Sequence, residues 1–583
     1  MKSGFYNIVR YAIIAVMSLS IAYLLYRGVG FYYLVNDDMV MQQLTSGYYT
    51  GTSDGHLARF IYYVYGNAIA TFFKIAPEID WYGGGLIGLN FFCYSLIVCR
   101  TFKMTQTISH KIATRLSGIT AMVALFLEVT IMFQFTVVSG TLAATALFLF
   151  ITARKDDSPL LYILIWILYL ISTMLRVKMF FMAAPLFLII AAYKMYEWWG
   201  EKLVLKETIK HRIISENDKR KIFTYVLITV AGITLYLACN IIEETAYKTG
   251  IWAEYTEYNH YRSLIMDYYG WPPYEGNEDF YTSIDVSKEE QGCLKMFGVL
   301  PDIDANKIKK IAEYSQSKYV DKTLIQKIFN MMELLRSTLK YSICRIMYAF
   351  FAGLVIWLCC TMIKRKKVTR LFILAGIAVQ TIVLLYMLYK GRLPDRIVID
   401  YGFQCIFVMY GILLNDIYLR NHICLQKCKN GYYLVSFFII ILAGCEIAST
   451  IKSVDVYKEK MSIYKEITDY MTEHPNVVYI SSAGSITAVK QFSIRDVKEH
   501  VNWFGSYGWS SKSPWYIVRY KDLGIDPYSN ILLNEKVCFI TDDLTHADSM
   551  NTYYLDKKLI DNNYTVTDKL KLTNGEKLYV VSW

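Results

Sequence analysis

The chain has 583 residues, of which 55% are apolar, 16% are aromatic and 19% are charged. Typical soluble domains carry about 25% charged residues, so this composition excludes a disordered chain, a small disulfide-stapled module and most soluble enzymes. The formal net charge of +11 would fit nucleic-acid binding only if the cations lay on one soluble face. They instead form short clusters between apolar runs, which indicates a protein that crosses a membrane several times and has no nucleic-acid partner.

Apolar runs of about 20 residues are long enough to cross a bilayer as helices. No small-residue cleavage site follows the first run, so we expect an uncleaved anchor there rather than a signal peptide. The sequence predicts eleven spans, at residues 8–26, 81–100, 115–135, 138–153, 159–176, 179–199, 222–241, 341–363, 370–389, 397–418 and 432–450.

The Lys and Arg clusters predict the orientation, because cytoplasmic loops carry an excess of cations. They fall in alternate loops, near residues 2–10, 103–115, 154–155, 202–221, 364–370 and 420–429. We therefore expect a multi-pass protein of the cell membrane with a cytoplasmic N-terminus and an extracytoplasmic C-terminus. The apolar stretch 57–76 would change this assignment if it crossed the bilayer. Because it carries Arg59, Asn67 and Lys74, we expect it to lie on the outer leaflet.

Three polar segments would then share the outer side, namely loop 27–80, loop 242–340 and tail 451–583. The tail has three short β-type runs at 476–481, 536–541 and 578–581, separated by helical stretches, which predicts a small α/β module. We expect a transmembrane domain at 1–450 followed by an extracytoplasmic soluble domain at 451–583. Most of the twelve cysteines lie in apolar runs, where a free thiol behaves as a small hydrophobe.

Two adjacent carboxylates, Asp37 and Asp38, follow the first predicted span. Neighbouring carboxylates repel each other and tend to share a proton or recruit a cation. A carboxylate held near the membrane surface can also act as a general base toward a hydroxyl. The alternative is that both only cap a helix that starts at Met39, since Asp is a favoured N-cap residue.

A short helical run ending in Ser46-Gly47-Tyr48 follows this pair, then the stretch 57–76, then the next span. In this order the chain resembles the GT-C superfamily of membrane glycosyltransferases, such as protein O-mannosyltransferases and the aminoarabinose transferase of lipid A. It also resembles uncharacterised membrane proteins of Gram-positive bacteria that share the Asn-Asp-Asp opening. The rest of the chain matches in topology only. Where the family often has Arg or Lys soon after the acidic pair, this chain has Met39, Val40 and Met41.

The resemblance implies an all-α, GT-C-like polytopic membrane protein of about eleven transmembrane helices with an outward-facing glycosyltransferase site. It implies a polyprenyl-phosphate-linked monosaccharide as donor. The acceptor would be an extracytoplasmic hydroxyl of a cell-envelope glycan, a teichoic acid or a lipid. Asp37 would be the base of an inverting reaction and Asp38 would position the acceptor or hold a cation, with the reverse assignment left open. No residues have metal-ligand spacing, and a divalent cation between Asp38 and the phosphate is the alternative.

Cations are depleted from the predicted outer side, so the few found there are candidates to bind the lipid phosphate. Arg176 and Lys178 lie at the outer end of a span, and Arg392 and Arg396 flank Pro394 in another outer turn. Arginine forks match phosphate oxygens and can stabilise charge on a departing phosphate. The alternative is that these cations are interfacial anchors.

The second outer loop mixes aromatic rings with polar groups in the runs 258–263 and 267–274. Such mixtures suit the apolar faces and hydroxyl edges of sugars, so we expect Arg262 and Asp267 to bind substrate. An aromatic belt at the membrane interface is the alternative. Glu128 lies inside a predicted span and is a further candidate, because an intramembrane carboxylate is often functional.

Three other functions compete with a transferase. A lipid-linked glycan transporter or flippase would be expected to show repeated halves and broken helices, and the sequence has neither. A polysaccharide polymerase or ligase would lack the acidic pair after the first span. A non-catalytic scaffold for envelope assembly would be insensitive to alanine at Asp37.

Overall fold

The computed structural model describes residues 2–47, 57–58, 60–105, 111–200, 216–297, 300, 303–320, 323–362, 366–419, 429–481, 490–495, 502–505, 509 and 512–583. Arg59, Tyr48, Cys424, Cys428 and most of the predicted basic loops 202–221 and 420–429 lie outside these residues.

Helices dominate the chain. In chain order they are α1 Lys2–Gly28, α2 Asn36–Ser46, α3 Tyr63–Ile75, α4 Trp81–Met104, α5 Lys111–Ile131, α6 Phe135–Thr152, α7 Pro159–Leu175, α8 Val177–Met195, α9 Glu216–Tyr247, α10 Gly250–Leu264, α11 Glu278–Ser283, α12 Lys288–Phe297, α13 Ala305–Val320, α14 Leu324–Thr338, α15 Ser342–Met362, α16 Lys367–Tyr389, α17 Asp395–Leu419, α18 Lys429–Glu473, α19 Pro514–Asp522 and α20 Leu544–Asp556. The strands are β1 Tyr32–Tyr33, β2 Met132–Phe133, β3 Val478–Ser481, β4 Trp503–Gly505, β5 Val537–Thr541, β6 Thr565–Lys571 and β7 Lys577–Ser582.

The predicted polytopic helical fold is confirmed. In the described part of the chain, eight helices are long and apolar enough to cross a membrane, namely α4, α6, α8, α9, α15, α16, α17 and α18. Shorter apolar helices at Ala12–Gly28, Gly118–Ile131 and Pro159–Leu175 occupy the three remaining predicted spans. Helix α3 has 13 residues, about 20 Å at 1.5 Å per residue, which is too short to cross a 30 Å hydrocarbon core.

Helix α6 is the centre of the bundle. Nearly all of its side chains are buried, and it packs against α4, α7, α8 and α17. The contact with α17 is close because Gly140 has no side chain: a Cβ there would lie 2.0 Å from Oδ1 of Asp400. This glycine therefore sets the distance between the two helices.

One predicted span ends earlier than expected. Helix α5 stops at Ile131, and Met132 and Phe133 form β2, which pairs in parallel with β1. Only Gln134 separates this strand from α6. The prediction of a span through residue 135 was wrong because apolar side chains alone cannot distinguish a buried strand from the end of a buried helix.

The C-terminal segment contains the predicted small α/β module. Its sheet has the order β4-β3-β5-β7-β6, with β4, β3 and β5 parallel and β7 and β6 antiparallel. Strands β3, β5 and β7 coincide with the three predicted runs, whereas β4 and β6 were not predicted. Helix α18 continues through position 451 to Glu473, so the expected domain boundary falls inside one helix.

The module and the bundle are joined by backbone hydrogen bonds and by shared cores. Tyr33 N–H donates to the Lys490 carbonyl at 3.0 Å, and Phe492 N–H donates to the Phe31 carbonyl at 2.7 Å. Leu44 of α2 belongs to one core with the second outer loop and the module, and Met39 belongs to another with α18 and the sheet. Strand β1 and helix α2 are thus enclosed between the bundle and the module.

The opposite end of the bundle carries a salt-bridged cluster. Asp157 accepts from Arg100 at 2.7 Å and from Lys103 at 2.6 Å. Burial alone would raise the pKa of Asp157, but the two cations outweigh it and hold the pKa at about 2. Arg100 lies 18 residues after Tyr82 on α4, about 27 Å along the helix axis. The salt-bridged cluster therefore lies at the end of α4 that is remote from Tyr82.

Candidate active site

The acidic pair lies in the first turn of α2. The helix begins at Asn36 after the extended residue Val35, which makes no side-chain cap, and it ends at Gly47 with φ +78°. The alternative that Asp37 and Asp38 cap a helix starting at Met39 was therefore wrong, because the helix begins before both residues. Carboxylates in the first turn are stabilised by the positive end of the helix dipole.

Asp38 is fully buried and fixes α2 to two other elements. Its Oδ1 accepts the Tyr82 hydroxyl of α4 at 3.0 Å and the Phe135 N–H at the start of α6 at 2.9 Å. Its Oδ2 has no hydrogen-bond partner among the described residues. Burial raises the pKa of Asp38 to about 8, although these hydrogen bonds and the charge of Arg396 oppose the rise. Asp38 therefore serves to position α2.

Asp37 has a different environment. Its side chain is partly exposed, and Oδ1 accepts the indole N–H of Trp509 at 2.8 Å. The Trp509 ring lies 4.6 Å from the Phe60 ring, which in turn lies under the guanidinium of Arg176. Of the two carboxylates, Asp37 is the one that an external hydroxyl could reach.

Two arginines lie within electrostatic range of the acidic pair. Arg176 joins α7 to α8, with its guanidinium 5.3 Å above the Phe60 ring and 5.6 Å above the Phe135 ring. Its Nε is buried with no hydrogen-bond partner in the described part of the chain. Burial and the nearby charge of Arg396 together lower the pKa of Arg176 to about 10. The side chain is still a cation at neutral pH.

A second group of predicted residues lies around a phenol. Lys178 donates to the Tyr268 hydroxyl at 3.3 Å, and Arg392 lies 5.4 Å above the same ring. Arg392 also forms a 2.7 Å ion pair with Asp267. Burial would raise the pKa of Tyr268, but the two cations lower it below its usual value. Lys178, Asp267 and Arg392 therefore form one cluster with Tyr268.

The turn that carries Arg392 requires glycine. Gly391 has φ +77°, a conformation that L side chains rarely adopt, and a Cβ there would lie 2.8 Å from the Tyr319 hydroxyl. Arg396 follows on the first turn of α17, and its charge acts on Asp38, Arg176 and Asp400. The turn thus places Arg392 and Arg396 within electrostatic range of Arg176, which itself lies within range of Asp37.

Arg262 is placed differently from the other predicted cations. It is buried, and its Nε donates to Asn259 Oδ1 at 2.9 Å while Nη1 approaches the Met266 sulfur at 3.5 Å. Its charge also interacts electrostatically with the charges of Asp267 and Arg392. This geometry suits a residue that supports the cluster rather than one that touches a ligand.

The sequence did not single out Asp400, Tyr82 or Trp509, and it offered Tyr268 only as part of the aromatic run 267–274. Asp400 is fully buried on α17, and neither carboxylate oxygen has a hydrogen-bond partner in the described part of the chain. A signal for Asp400 was present, because a carboxylate inside an apolar span is a functional candidate by default. Nothing in the local sequence identifies Trp509.

Other buried polar groups share this property of Asp38. Within the described residues, side-chain atoms of Gln42, Asn90, Gln134, Thr136 and Gln404 have no hydrogen-bond partner. Leaving such groups unpaired costs about 1–3 kcal/mol each, so they normally serve a polar ligand or ordered water. Among the described residues, no group of three or more His, Cys, Asp or Glu side chains could hold a metal ion.

The absence of a cation after the acidic pair has a packing reason. Met39 and Met41 are both fully buried, Met39 against the module and Met41 in the bundle core. A Lys or Arg at either position would be desolvated without a partner. Arg176 and Arg396 bring positive charge to the pair from other elements instead.

Glu128 lies apart from this cluster. It approaches Ser342 at 3.3 Å and Ser453 at 3.4 Å, and its backbone N–H donates to Glu446 at 3.3 Å. Glu446 is fully buried on α18. These contacts tie α5, α15 and α18 together, which is a structural role.

Comparison with solved structures gives two crystal structures of ArnT from Cupriavidus metallidurans, one bound to undecaprenyl phosphate and one in the apo state. ArnT is an aminoarabinose transferase. Each comparison covers 97% of both chains, with 10% sequence identity and a TM-score of 0.32. A TM-score this low adds nothing to the description of the fold. No family model and no curated protein matches the sequence.

Proposed function

We propose that the protein is a membrane glycosyltransferase that moves a monosaccharide from a polyprenyl-phosphate donor to a hydroxyl of an extracytoplasmic acceptor. One observation carries the proposal. Asp37, a carboxylate that a ligand can reach, lies within electrostatic range of Arg176. Its neighbour Asp38 is buried and lies within electrostatic range of Arg396. This arrangement supports a reaction in which Asp37 acts as the base for a hydroxyl and the arginines bind a phosphate. They lie where a bundle of apolar helices meets the polar loops.

The chemistry assigns a separate task to each group. Asp37 takes the proton from the acceptor hydroxyl as its oxygen attacks the anomeric carbon. The bond from that carbon to the phosphate oxygen breaks, and the lipid phosphate leaves with the bonding electrons. Arg176 and Arg396, with Arg392, stabilise the charge that develops on the leaving phosphate. Because the hydroxyl displaces the phosphate directly, the anomeric configuration is inverted.

The predicted orientation places this site on the outer side of the cell membrane. Arg100 and Lys103, next to one of the predicted cytoplasmic loops, lie at the end of α4 that is remote from Tyr82, the partner of Asp38. With those loops in the cytoplasm, the C-terminal module is extracytoplasmic. A cell-envelope glycan, a teichoic acid or a lipid would then be the acceptor.

The test is release of polyprenyl phosphate by the purified protein in lipid nanodiscs. Undecaprenyl phosphate, the lipid bound to ArnT in one of the solved structures, is the first carrier to use. Monosaccharides linked to it are offered together with an extract of envelope glycans. Wild type is compared with Asp37→Asn, and Glu128→Gln is the matched control because Glu128 lies outside the cluster.

We expect release by wild type and by Glu128→Gln, and a loss of about 10²–10⁴-fold in Asp37→Asn, the usual contribution of a general base. Release that is unchanged in Asp37→Asn would reject Asp37 as the base. No release with any donor by folded protein would reject the transferase. A flippase or an enzyme that uses a diphosphate-linked donor would then be tested by lipid translocation.

A further inference from the structure

A cleft lies between the second outer loop and the C-terminal module. One wall is formed by α10 and the start of α13, and the other by α19, the turn at residues 526–529 and α20. Its volume of about 660 Å³ lies in the range of about 300–1,000 Å³ that is typical of ligand pockets. We call it the module cleft.

Tyrosine rings line most of the module cleft. Five of them are buried in its walls, with at most 5% of their surface exposed: Tyr255, Tyr258, Tyr516, Tyr520 and Tyr554. Tyr528 lies at the mouth in a turn closed by Asp526, and 69% of its surface is exposed. Aromatic faces of this kind stack on the C–H faces of sugars while polar groups bind the hydroxyls.

The polar lining provides hydrogen-bonding groups and has an acidic balance. Glu254, Glu257 and Asp304 contribute carboxylates, against Lys309 and Lys512. Lys512 already donates to the Ile303 carbonyl and lies 4.8 Å above the Tyr258 ring. This lining disfavours anionic sugars and suits neutral or amino sugars.

One buried polar atom in the lining lacks a partner. The side-chain oxygen Oδ1 of Asn530 is buried and accepts no hydrogen bond from any described residue. An unpaired buried acceptor is costly, and a ligand hydroxyl or amine could satisfy it. This observation is independent of the tyrosines and also points to a polar ligand.

The module cleft is connected to the acidic pair through one residue. Tyr255, in the wall of the cleft, donates its hydroxyl to the Trp509 carbonyl. The indole of the same Trp509 donates to Asp37 at 2.8 Å. The cleft wall and the proposed base therefore share a contact residue, and a saccharide held in the cleft would lie close to Asp37.

We propose that the module cleft binds the acceptor as a saccharide built of neutral or amino sugars, and that it presents the reacting hydroxyl toward Asp37. The binding site stands on the cleft itself, whereas its role as acceptor site rests on the proposed function. Tyr528 is the stacking platform at the mouth. Glu257, which is exposed in the lining, and Asn530 bind hydroxyl or amino groups of the saccharide.

The experiment measures binding without turnover. The full-length protein in nanodiscs, without donor, is titrated calorimetrically with three trisaccharides: neutral chitotriose, its deacetylated cationic form and anionic trigalacturonate. Tyr528→Ala and Glu257→Ala are compared with Tyr341→Ala and Glu576→Ala. The two control residues are exposed and lie outside the cleft, and Glu576 belongs to the same module.

We expect chitotriose or its deacetylated form to bind wild type and both control variants, and the two cleft variants to bind at least about 10-fold more weakly, the loss of one stacking or charged contact. Trigalacturonate should not bind. Equal binding by all variants would move the site elsewhere, and no binding of the neutral and cationic trisaccharides would overturn the proposal. Asp37→Asn separates the two proposals, because it should keep saccharide binding while losing donor turnover.

Discussion

The indole N–H of Trp509 donates to Oδ1 of Asp37 across 2.8 Å, joining residues that are 472 positions apart in the sequence. The C-terminal module therefore contributes directly to the environment of the proposed base. The Trp509 ring is held from both sides, by Phe60 at 4.6 Å and by Trp515 at 5.8 Å. The carboxylate orientation thus depends on a residue far from the first outer loop.

Trp509→Phe tests this dependence, because phenylalanine keeps most ring packing and loses the donor. A hydrogen bond to a charged group contributes about 1.5–3 kcal/mol, so we expect the turnover number to fall by about 10-fold or more. The KM for the donor should change little, and the melting temperature should fall by a few degrees at most. Turnover that equals wild type would show that the contact is not used in catalysis.

Asp38→Asn tests the burial of the second carboxylate through the pH dependence of stability. The pKa of Asp38 is raised to about 8 in the folded protein, whereas an unfolded carboxyl titrates near 4. Between these values the folded state holds a proton that the unfolded chain has lost, so the stability from this group falls as pH rises. Asparagine removes that titration.

The melting temperature of Asp38→Asn should therefore approach that of wild type at pH 5 and exceed it increasingly toward pH 8. Thermal unfolding in nanodiscs at pH 5, 6.5 and 8 measures the difference. Asp561→Asn, at an exposed position of the module, is the control and should show a constant difference. Parallel curves for Asp38→Asn would mean that Asp38 is ionised throughout this range.

Arg396→Gln tests the proposed phosphate site. Losing a charge-assisted contact should weaken binding of undecaprenyl phosphate by about 10-fold or more. Lys178→Gln should weaken it by less than about 3-fold, because exposed charges contribute little. Affinity is measured with the carrier lipid alone, without sugar. If both variants lose the same affinity for undecaprenyl phosphate, the lipid is attracted by the overall positive charge and not by a specific contact with Arg396.

Gly140→Ala tests the contact between α6 and α17. The added Cβ would lie 2.0 Å from Asp400 Oδ1, so the two helices must separate and the protein should lose folded yield or melt at a lower temperature. Gly444→Ala is the control, because nothing lies within 4 Å of its Cβ position and alanine is the better helix former. Equal stability of the two variants would show that the bundle tolerates a wider α6–α17 distance.

The sequence predicts those parts of the molecule that depend on local patterns. Apolar runs of span length coincide with helices, and Asp37 and Asp38 could be selected because they are adjacent carboxylates after a span. Whether Asp37 or Asp38 is exposed could not be predicted, since the burial of Asp38 comes from Tyr82 and Phe135 on other helices. Trp509 could not be selected either, because its contact with Asp37 exists only after the chain has folded.

The sequence patterns also do not predict that α18 continues without a break to Glu473. At position 451 the composition changes from apolar to charged, which favours a domain boundary. The same residues are good helix formers, however, and the helix continues to Glu473. The environment predicted for the chain can therefore change along a helix whose structure does not.

This helix has a mechanical consequence. Its 45 residues extend about 68 Å, and the part beyond residue 450 extends about 35 Å from the predicted membrane boundary. A continuous helix bends far less readily than a loop, so a tilt of its apolar half would be carried directly to the module and to Met39 of α2, which packs against the same helix.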